Sequence, residues 1–210
     1  ATAAQVSAFI SLGNIYDIEG NPSAAKNQWQ KGIIAAQKIG DSRRLADLWF
    51  NLARQADEQG QFTEAIQDYQ QALHVYVRIG DVDGEGYTCN NLAYSYLVQQ
   101  NNIKEALPYL ARAETLVQKY GFTILNLQTK VNRVYWHLHN EDYTVAQDIL
   151  EEAWVLSQAI DYTDPQAEIL RLQAIIALHN QNYNDALTLV SDSIEAAVDV
   201  DLEAGISWRI

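Results

Sequence analysis

The sequence predicts an all-α protein, a solenoid or bundle built from antiparallel helix pairs. The 210 residues include only ten glycines and three prolines, so few positions interrupt a helix. Hydrophobic residues make up 48% of the chain, which is enough to bury a core. One alanine also recurs at spacings of 40, 41, 40 and 40 residues, and such a period is typical of a repeat protein. Its positions are Ala25, Ala65, Ala106, Ala146 and Ala186.

The recurring alanine lies on one face of the second helix of each predicted pair. Four residues after it comes a larger apolar side chain, at Trp29, Tyr69, Leu110, Leu150 and Val190. Seven residues after it comes a small one, at Gly32, Ala72, Ala113, Ala153 and Ser193. Residues at i, i+4 and i+7 share a helical face, so each segment predicts an amphipathic helix.

A similar pattern, with spacing i, i+3, i+4 and i+7, precedes the alanine and predicts the first helix of each pair. It is clear at Phe9, Leu12, Gly13 and Tyr16, at Trp49, Leu52, Ala53 and Ala56, and at Cys89, Leu92, Ala93 and Tyr96. In repeats four and five this pattern is degenerate, which leaves the register there open by one residue. We expect repeats over about 1–40, 41–80, 81–121, 122–161 and 162–200, and a partial sixth repeat over 201–210.

The helix ends are also visible in the sequence. Asn21 before Pro22, and Asp164 before Pro165, have the order of an N-cap followed by the first helical residue. The triplet Ile-Gly-Asp at 39–41 recurs at 79–81, with glycine placed to end one helix and aspartate placed to cap the next. Apolar residues at 206, 208 and 210 make a poor polar cap, so we expect a fragment of a longer chain.

The combined pattern of aromatic-x2-Leu-Gly/Ala-x2-Tyr, followed by Ala-x3-aromatic, resembles the tetratricopeptide repeat over essentially the whole chain. The 40-residue length is similar to that of repeats in kinesin light chains, Pins-type scaffolds and bacterial sensor modules. The run from Cys89 to Tyr96 is particularly similar to the kinesin light chain form. The resemblance implies a right-handed superhelical solenoid of antiparallel helix pairs, whose first helices line a concave groove.

That resemblance implies a peptide-binding groove lined by residues one or two places from the packing positions. Side-chain amides suit such a groove because they donate and accept hydrogen bonds at once. The expected contacts are Asn14, Asn51, Arg54, Asn90, Asn91, Tyr94, Arg133 and Trp136. Further candidates in repeats four and five are Lys130, His137 and Gln173.

Charge and composition exclude several classes of function. The net charge of −13 disfavours nucleic-acid binding, which needs an excess of Lys and Arg. The charge is uneven, since residues 141–210 hold 14 acidic residues against Arg171 and Arg209. A basic partner segment is one interpretation of this acidic half, and a solvated surface is the other. No apolar run is long enough to span a membrane.

The sequence contains no recognisable catalytic or metal-binding motif. Its four histidines lack a paired ligand at helical spacing, and we expect neither a metal nor a cofactor. Cys89 stands at a helix-packing position, as a small buried hydrophobe does. We therefore expect a cytoplasmic, non-enzymatic scaffold that binds a partner peptide or helix in the groove. The alternative is a ligand- or peptide-sensing regulatory segment of a larger signalling ATPase or transcription regulator.

Overall fold

The structure, a computed structural model, describes residues 1–99, 101–160, 162 and 165–207. These residues form helices joined by short turns. The α-helices are α1 (Ala3–Ile18), α2 (Pro22–Ile39), α3 (Ser42–Glu58), α4 (Phe62–Ile79), α5 (Val82–Tyr94), α6 (Ile103–Tyr120), α7 (Thr123–His139), α8 (Tyr143–Ala159), α9 (Gln166–His179) and α10 (Tyr183–Ser207). Within the described part of the chain, each helix is too short or too polar to cross a lipid bilayer.

The helices form two compact units, which we describe separately. Unit 1 is Ala1–Gly121 and contains α1 to α6; unit 2 is Phe122–Ile210 and contains α7 to α10. In each unit consecutive helices pack as pairs, and the second helix of one pair also packs on the first helix of the next. The prediction of an all-α fold made of helix pairs is confirmed.

The predicted helix ends are largely confirmed. The side chains of Asn21, Asp41 and Asp81 each accept a hydrogen bond from the backbone amide three residues later, at 3.0 to 3.2 Å. Gly40 and Gly80 both adopt φ of 72°, the left-handed conformation that ends a helix. These local signals therefore mark where α2, α3 and α5 begin and where α2 and α4 end.

Two predicted boundaries are wrong. Helix α9 begins at Gln166, so Pro165 is its N-cap rather than its first residue, and Asp164 lies outside the described residues. Helix α10 continues through Asp201 to Ser207 without a turn, so no new helix begins there as a sixth repeat would require. Residues 208–210, which belong to the same prediction, lie outside the described residues.

The 41-residue spacing has a structural cause. The first helix of the third repeat ends in a π-helical turn at Ser95–Gln99, where the other first helices stay α-helical. A π turn accommodates one extra residue within a helix. The insertion between Ala65 and Ala106 thus lies after Tyr94, and all later positions are displaced by one residue.

Candidate functional site

Three asparagines lie on the first helices of unit 1, one each on α1, α3 and α5. Asn51 Nδ2 donates to Asn14 Oδ1 at 3.3 Å, which joins α3 to α1. The same oxygen of Asn14 accepts from the buried indole of Trp29 at 3.2 Å. Asn91 Nδ2 donates to the Tyr69 hydroxyl at 3.1 Å. We call Asn14, Asn51 and Asn91 the amide row.

Each side-chain amide of the row makes its hydrogen bonds through one atom, oxygen or nitrogen, and its other polar atom makes none. Among the described residues, Asn51 Oδ1, Asn91 Oδ1 and Asn14 Nδ2 make no hydrogen bond. The side chains of Asn51 and Asn91 are half-buried, and that of Asn14 is exposed. The row therefore presents two oriented acceptors and one donor to a ligand.

Arg54 lies beside the row, but its charge is already paired. It forms ion pairs with Asp17 of α1 and with Glu58 one turn further along α3. Burial lowers the pKa of the guanidinium, yet the hydrogen bond to Asp17 and the charge of Glu58 outweigh it, and the pKa is raised. Gln55 Nε2 also donates to Asp17, at 2.8 Å. This cluster ties two first helices together and leaves Arg54 little free charge for a ligand.

The equivalent tie one repeat later is a single hydrogen bond rather than an ion pair. Ser95 Oγ donates to Asp57 Oδ1 at 3.0 Å and so joins the end of the first helix of repeat three to α3. Burial raises the pKa of Asp57, and the charge of Glu58 raises it further, against the opposing hydrogen bond from Ser95. Both ties fix the spacing of neighbouring first helices, and hence the spacing of the amide row.

The other two predicted contacts of unit 1 differ from the row. Asn90 is only 5% exposed, and this burial argues against direct contact with a ligand. Tyr94 is half-buried at the end of α5, next to the π-helical turn. Tyr94 thus remains a candidate contact, whereas Asn90 is part of the packing.

In unit 2 the register places Arg133 and Trp136 one residue after the positions equivalent to Asn51 and Arg54. Counted back from the recurring alanine, the positions of Asn51 and Arg54 correspond to Asn132 and Tyr135, while Arg133 replaces a leucine. Asn132 and Tyr135 are both buried. The sequence does not identify them because the first-helix pattern of repeat four is degenerate, which leaves the register there open by one residue.

Arg133 and Trp136 nevertheless contact each other. The Arg133 guanidinium lies 5.3 Å from the centroid of the Trp136 ring, a cation–π arrangement. Trp136 Nε1 is buried and has no hydrogen-bond partner among the described residues.

Two of the further candidates are already paired. Lys130 is paired with Glu152 at 2.5 Å, and His137 Nδ1 lies 3.4 Å from an oxygen of Asp142. The hydrogen bond from Lys130 lowers the pKa of Glu152.

The described residues contain no group of three or more His, Cys, Asp or Glu side chains that could hold a metal ion. His179 stacks on Tyr143 with ring centroids 3.5 Å apart, and His139 Nδ1 lies 2.8 Å from the Tyr135 carbonyl oxygen. His179 therefore joins α9 to α8, and His139 contacts the backbone in the last turn of α7. Gln173 lines a polar cavity of about 210 Å³ between α8, α9 and α10, together with Glu151 and Asp185.

Comparison with known proteins identifies the repeat. A tetratricopeptide repeat model matches residues 44–119, which cover α3 to α6. This segment therefore carries the tetratricopeptide repeat pattern. The match confirms the predicted resemblance for the two tetratricopeptide repeats it covers. No curated protein sequence matches the chain.

Solved structures extend the tetratricopeptide fold over almost the whole chain. BtubC (BKLC) from P. vanneervenii is 19% identical, with a TM-score of 0.73 over 93% of this chain and 81% of its own. Kinesin light chain TPR-like repeats from Podosopora anserina are 15% identical, with a TM-score of 0.65 over 93% and 96%. A signal transduction ATPase with a tetratricopeptide repeat sensor, from Pyrococcus horikoshii, is 16% identical, with a TM-score of 0.65 over 92% of this chain and 28% of its own.

Proposed function

We propose that this chain is a non-enzymatic protein-interaction module that binds a partner peptide along the amide row. The observation that carries the proposal is the pair of oxygens, Asn51 Oδ1 and Asn91 Oδ1, which have no partner among the described residues and belong to side chains held in place through their nitrogens. A peptide backbone offers N–H donors to these oxygens, and a carbonyl that can accept from Asn14 Nδ2. Because these contacts involve only the peptide backbone, they place little demand on the partner's sequence.

The spacing of the row suits an extended peptide. Packed helices lie about 8 to 10 Å apart, and an extended chain advances about 3.3 to 3.6 Å per residue. Neighbouring first helices would thus meet every third residue of the ligand. Arg54 is paired with two carboxylates, Asp17 and Glu58, so this cluster carries a net negative charge beside the row and disfavours an acidic tail.

The experiment is a selection from a displayed library of unstructured peptides, followed by measurement of the dissociation constant. We expect Asn51→Ala combined with Asn91→Ala to weaken binding by ten-fold or more, from about 1 kcal/mol per lost hydrogen bond. The matched control is Asn27→Ala with Gln67→Ala, which removes two amides from the second helices α2 and α4. Equal binding by both double variants would place the ligand elsewhere.

A second candidate is a sensing segment of a larger signalling protein. The likeness to a signal transduction ATPase with a tetratricopeptide repeat sensor, from Pyrococcus horikoshii, supports it, since this likeness covers only 28% of that larger protein. A sensor binds a small molecule or signal peptide and changes the activity of an attached module. Selection of small molecules in place of peptides would favour this candidate. In either role we propose a cytoplasmic location, which suits the unpaired thiol of Cys89.

A further inference from the structure

Helix α10 exposes a face that is covered on the earlier second helices. The large residue four places after the recurring alanine is at most 1% exposed at Trp29, Tyr69, Leu110 and Leu150, but Val190 is 44% exposed. One turn later, Ile33 of α2 is 6% exposed while its equivalent Ile194 is 61% exposed. Leu187 is 71% exposed, more than its apolar equivalents Ile66 of α4 at 7% and Leu107 of α6 at 39%. We call Leu187, Val190 and Ile194 the α10 face.

The structure shows what covers this face elsewhere in the chain. On α2, Ile33 and Trp29 share one apolar cluster with Leu48 and Leu52 of the first helix α3. The same kind of contact places α5 on α4, and α9 on α8. In each unit, the natural occupant of such a face is therefore an amphipathic helix with apolar residues at i, i+3 or i+4, and i+7.

The α10 face continues into an apolar groove. A cavity of about 400 Å³ lies between α9 and α10, lined by Ile175, Leu178 and Tyr183 together with Leu187 and Val190 of the face. Arg171 also lines the cavity, but its guanidinium donates to Glu168 at 2.7 and 2.8 Å and to the Tyr135 hydroxyl at 2.7 Å. The groove thus offers apolar contact with little free positive charge.

The charge of α10 selects among possible occupants. Residues 183–207 include six acidic residues and no Lys or Arg. Asp185, Asp192 and Glu195 are exposed, and Glu195 directly follows the apolar Ile194. An incoming helix with Lys or Arg beside its apolar stripe would complement this charge, whereas an acidic helix would be repelled.

We propose that the α10 face and its groove dock a basic amphipathic helix of a partner protein. This site is separate from the amide row, and the two bind different kinds of segment. Apolar burial against Leu187, Val190 and Ile194 supplies most of the affinity. The acidic residues of α10 supply the preference for a basic helix, so binding should weaken as salt is added.

The test uses the 210-residue protein and a fluorescent synthetic peptide with the sequence of α7, Thr123–His139. This peptide is of the first-helix type and carries Lys130 and Arg133 but no acidic residue. We expect binding to be at least ten-fold weaker for Leu187→Glu with Ile194→Glu, measured by anisotropy. Binding should fall similarly for wild-type protein with a peptide in which Lys130 and Arg133 are replaced by Glu.

The matched protein control is Ile34→Glu with Val155→Glu, which places the same charges at two exposed apolar positions outside the groove. This control should bind the peptide as the wild type does. Equal binding by the control and the α10 variant would overturn the proposal, as would equal binding of the basic and acidic peptides. Self-association of the protein that the α10 variant abolishes would identify a second copy as the occupant, and would also overturn it.

Discussion

The indole of Trp29 packs directly against the backbone of Gly13. A β-carbon built on Gly13 would lie 2.7 Å from Trp29 Cε2 and closer still to Nε1, which is far inside van der Waals contact. The indole is fully buried and donates to Asn14, so it cannot easily move aside. In the next repeat Ala53 stands at the position of Gly13. Its partner there is Tyr69, whose ring is smaller than the indole of Trp29.

Substitution Gly13→Ala should therefore destabilise the protein although alanine is the better helix former. We expect the free energy of unfolding to fall by about 1 to 3 kcal/mol, the usual range for overpacking. Urea unfolding followed by circular dichroism measures the change. Ser11→Ala, at an exposed position of the same helix, is the control and should change stability by less than about 0.5 kcal/mol.

Replacing the Trp29 indole by a smaller ring should restore part of the stability that Gly13→Ala loses. An alanine at position 13 facing a tyrosine at position 29 would copy the arrangement of Ala53 with Tyr69 in the following repeat. We expect the double variant Gly13→Ala with Trp29→Tyr to lose less stability than the two single variants added together, by about 1 kcal/mol. Additive losses in the same urea measurement would show that the two sites are independent.

Glu141 occupies a turn position at which glycine is the better residue. Its φ is 60°, and the glycines at the equivalent turns, Gly20 and Gly60, have φ of 70° and 73°. The left-handed conformation costs a residue with a β-carbon about 1 to 2 kcal/mol. Glu141→Gly should thus raise the free energy of unfolding by about 1 kcal/mol, net of glycine's added flexibility when unfolded. Glu141→Ala keeps the β-carbon, and an equal gain from it would refute this explanation.

Asp68 should make stability depend on pH. Burial and the nearby charge of Glu64 raise the pKa of Asp68 from 3.8 to about 6, although Lys26 opposes the rise. A carboxyl whose pKa is higher in the folded state binds more protons there, so it costs stability increasingly as pH rises from about 4 to above 6. Asp68→Asn removes this cost and should stabilise the protein by about 1 to 2 kcal/mol at neutral pH.

The measurement is urea unfolding of wild type and Asp68→Asn at several pH values between about 4 and 7.5. The gain from the substitution should shrink as pH falls through about 6 and vanish near about 4. Asp148→Asn, at an exposed carboxyl on α8, is the control and should show no such trend. A gain that is the same at every pH would contradict the role assigned to Asp68.

Cys89 should be unreactive in the folded protein. Its side chain is buried, and burial together with the charge of Glu85 raises the pKa of the thiol to about 12, against the opposing charge of Arg112. The thiolate is the reactive form, so little of it exists at neutral pH. We expect no reaction with Ellman's reagent in buffer and one thiol per chain in denaturant. Rapid labelling of the folded protein would show that the α5 packing opens.

The sequence predicts the helix pairs well because their signals are local and repeated. The buried alanine of each second helix and the caps at Asn21, Asp41 and Asp81 depend on a few neighbouring residues. The continuation of α10 past Asp201 was less predictable. The residues around Asp201 are good helix formers, and the helix continues through them because none of them ends it.

The candidate site was only partly predictable. Asn14, Asn51 and Asn91 were found because they keep the register of three similar first helices. Asn132 was not predicted because the first-helix pattern of repeat four is degenerate and leaves the register open by one residue. The pairing of Arg54 with Asp17, 37 residues away, is a tertiary contact that no local pattern encodes. The sequence thus suggested Arg54 as a ligand contact without revealing that its charge is neutralised.

The most direct test of the central proposal is nuclear magnetic resonance of the asparagine side-chain amides in nitrogen-15-labelled protein, with a selected peptide added. The Asn51 and Asn91 signals are assigned from the spectra of the two alanine variants. We predict that both signals, and that of Asn14, shift on binding while the signal of Asn27 on α2 stays unchanged. Saturable binding that leaves the Asn51 and Asn91 signals in place would contradict the proposal that the amide row holds the peptide.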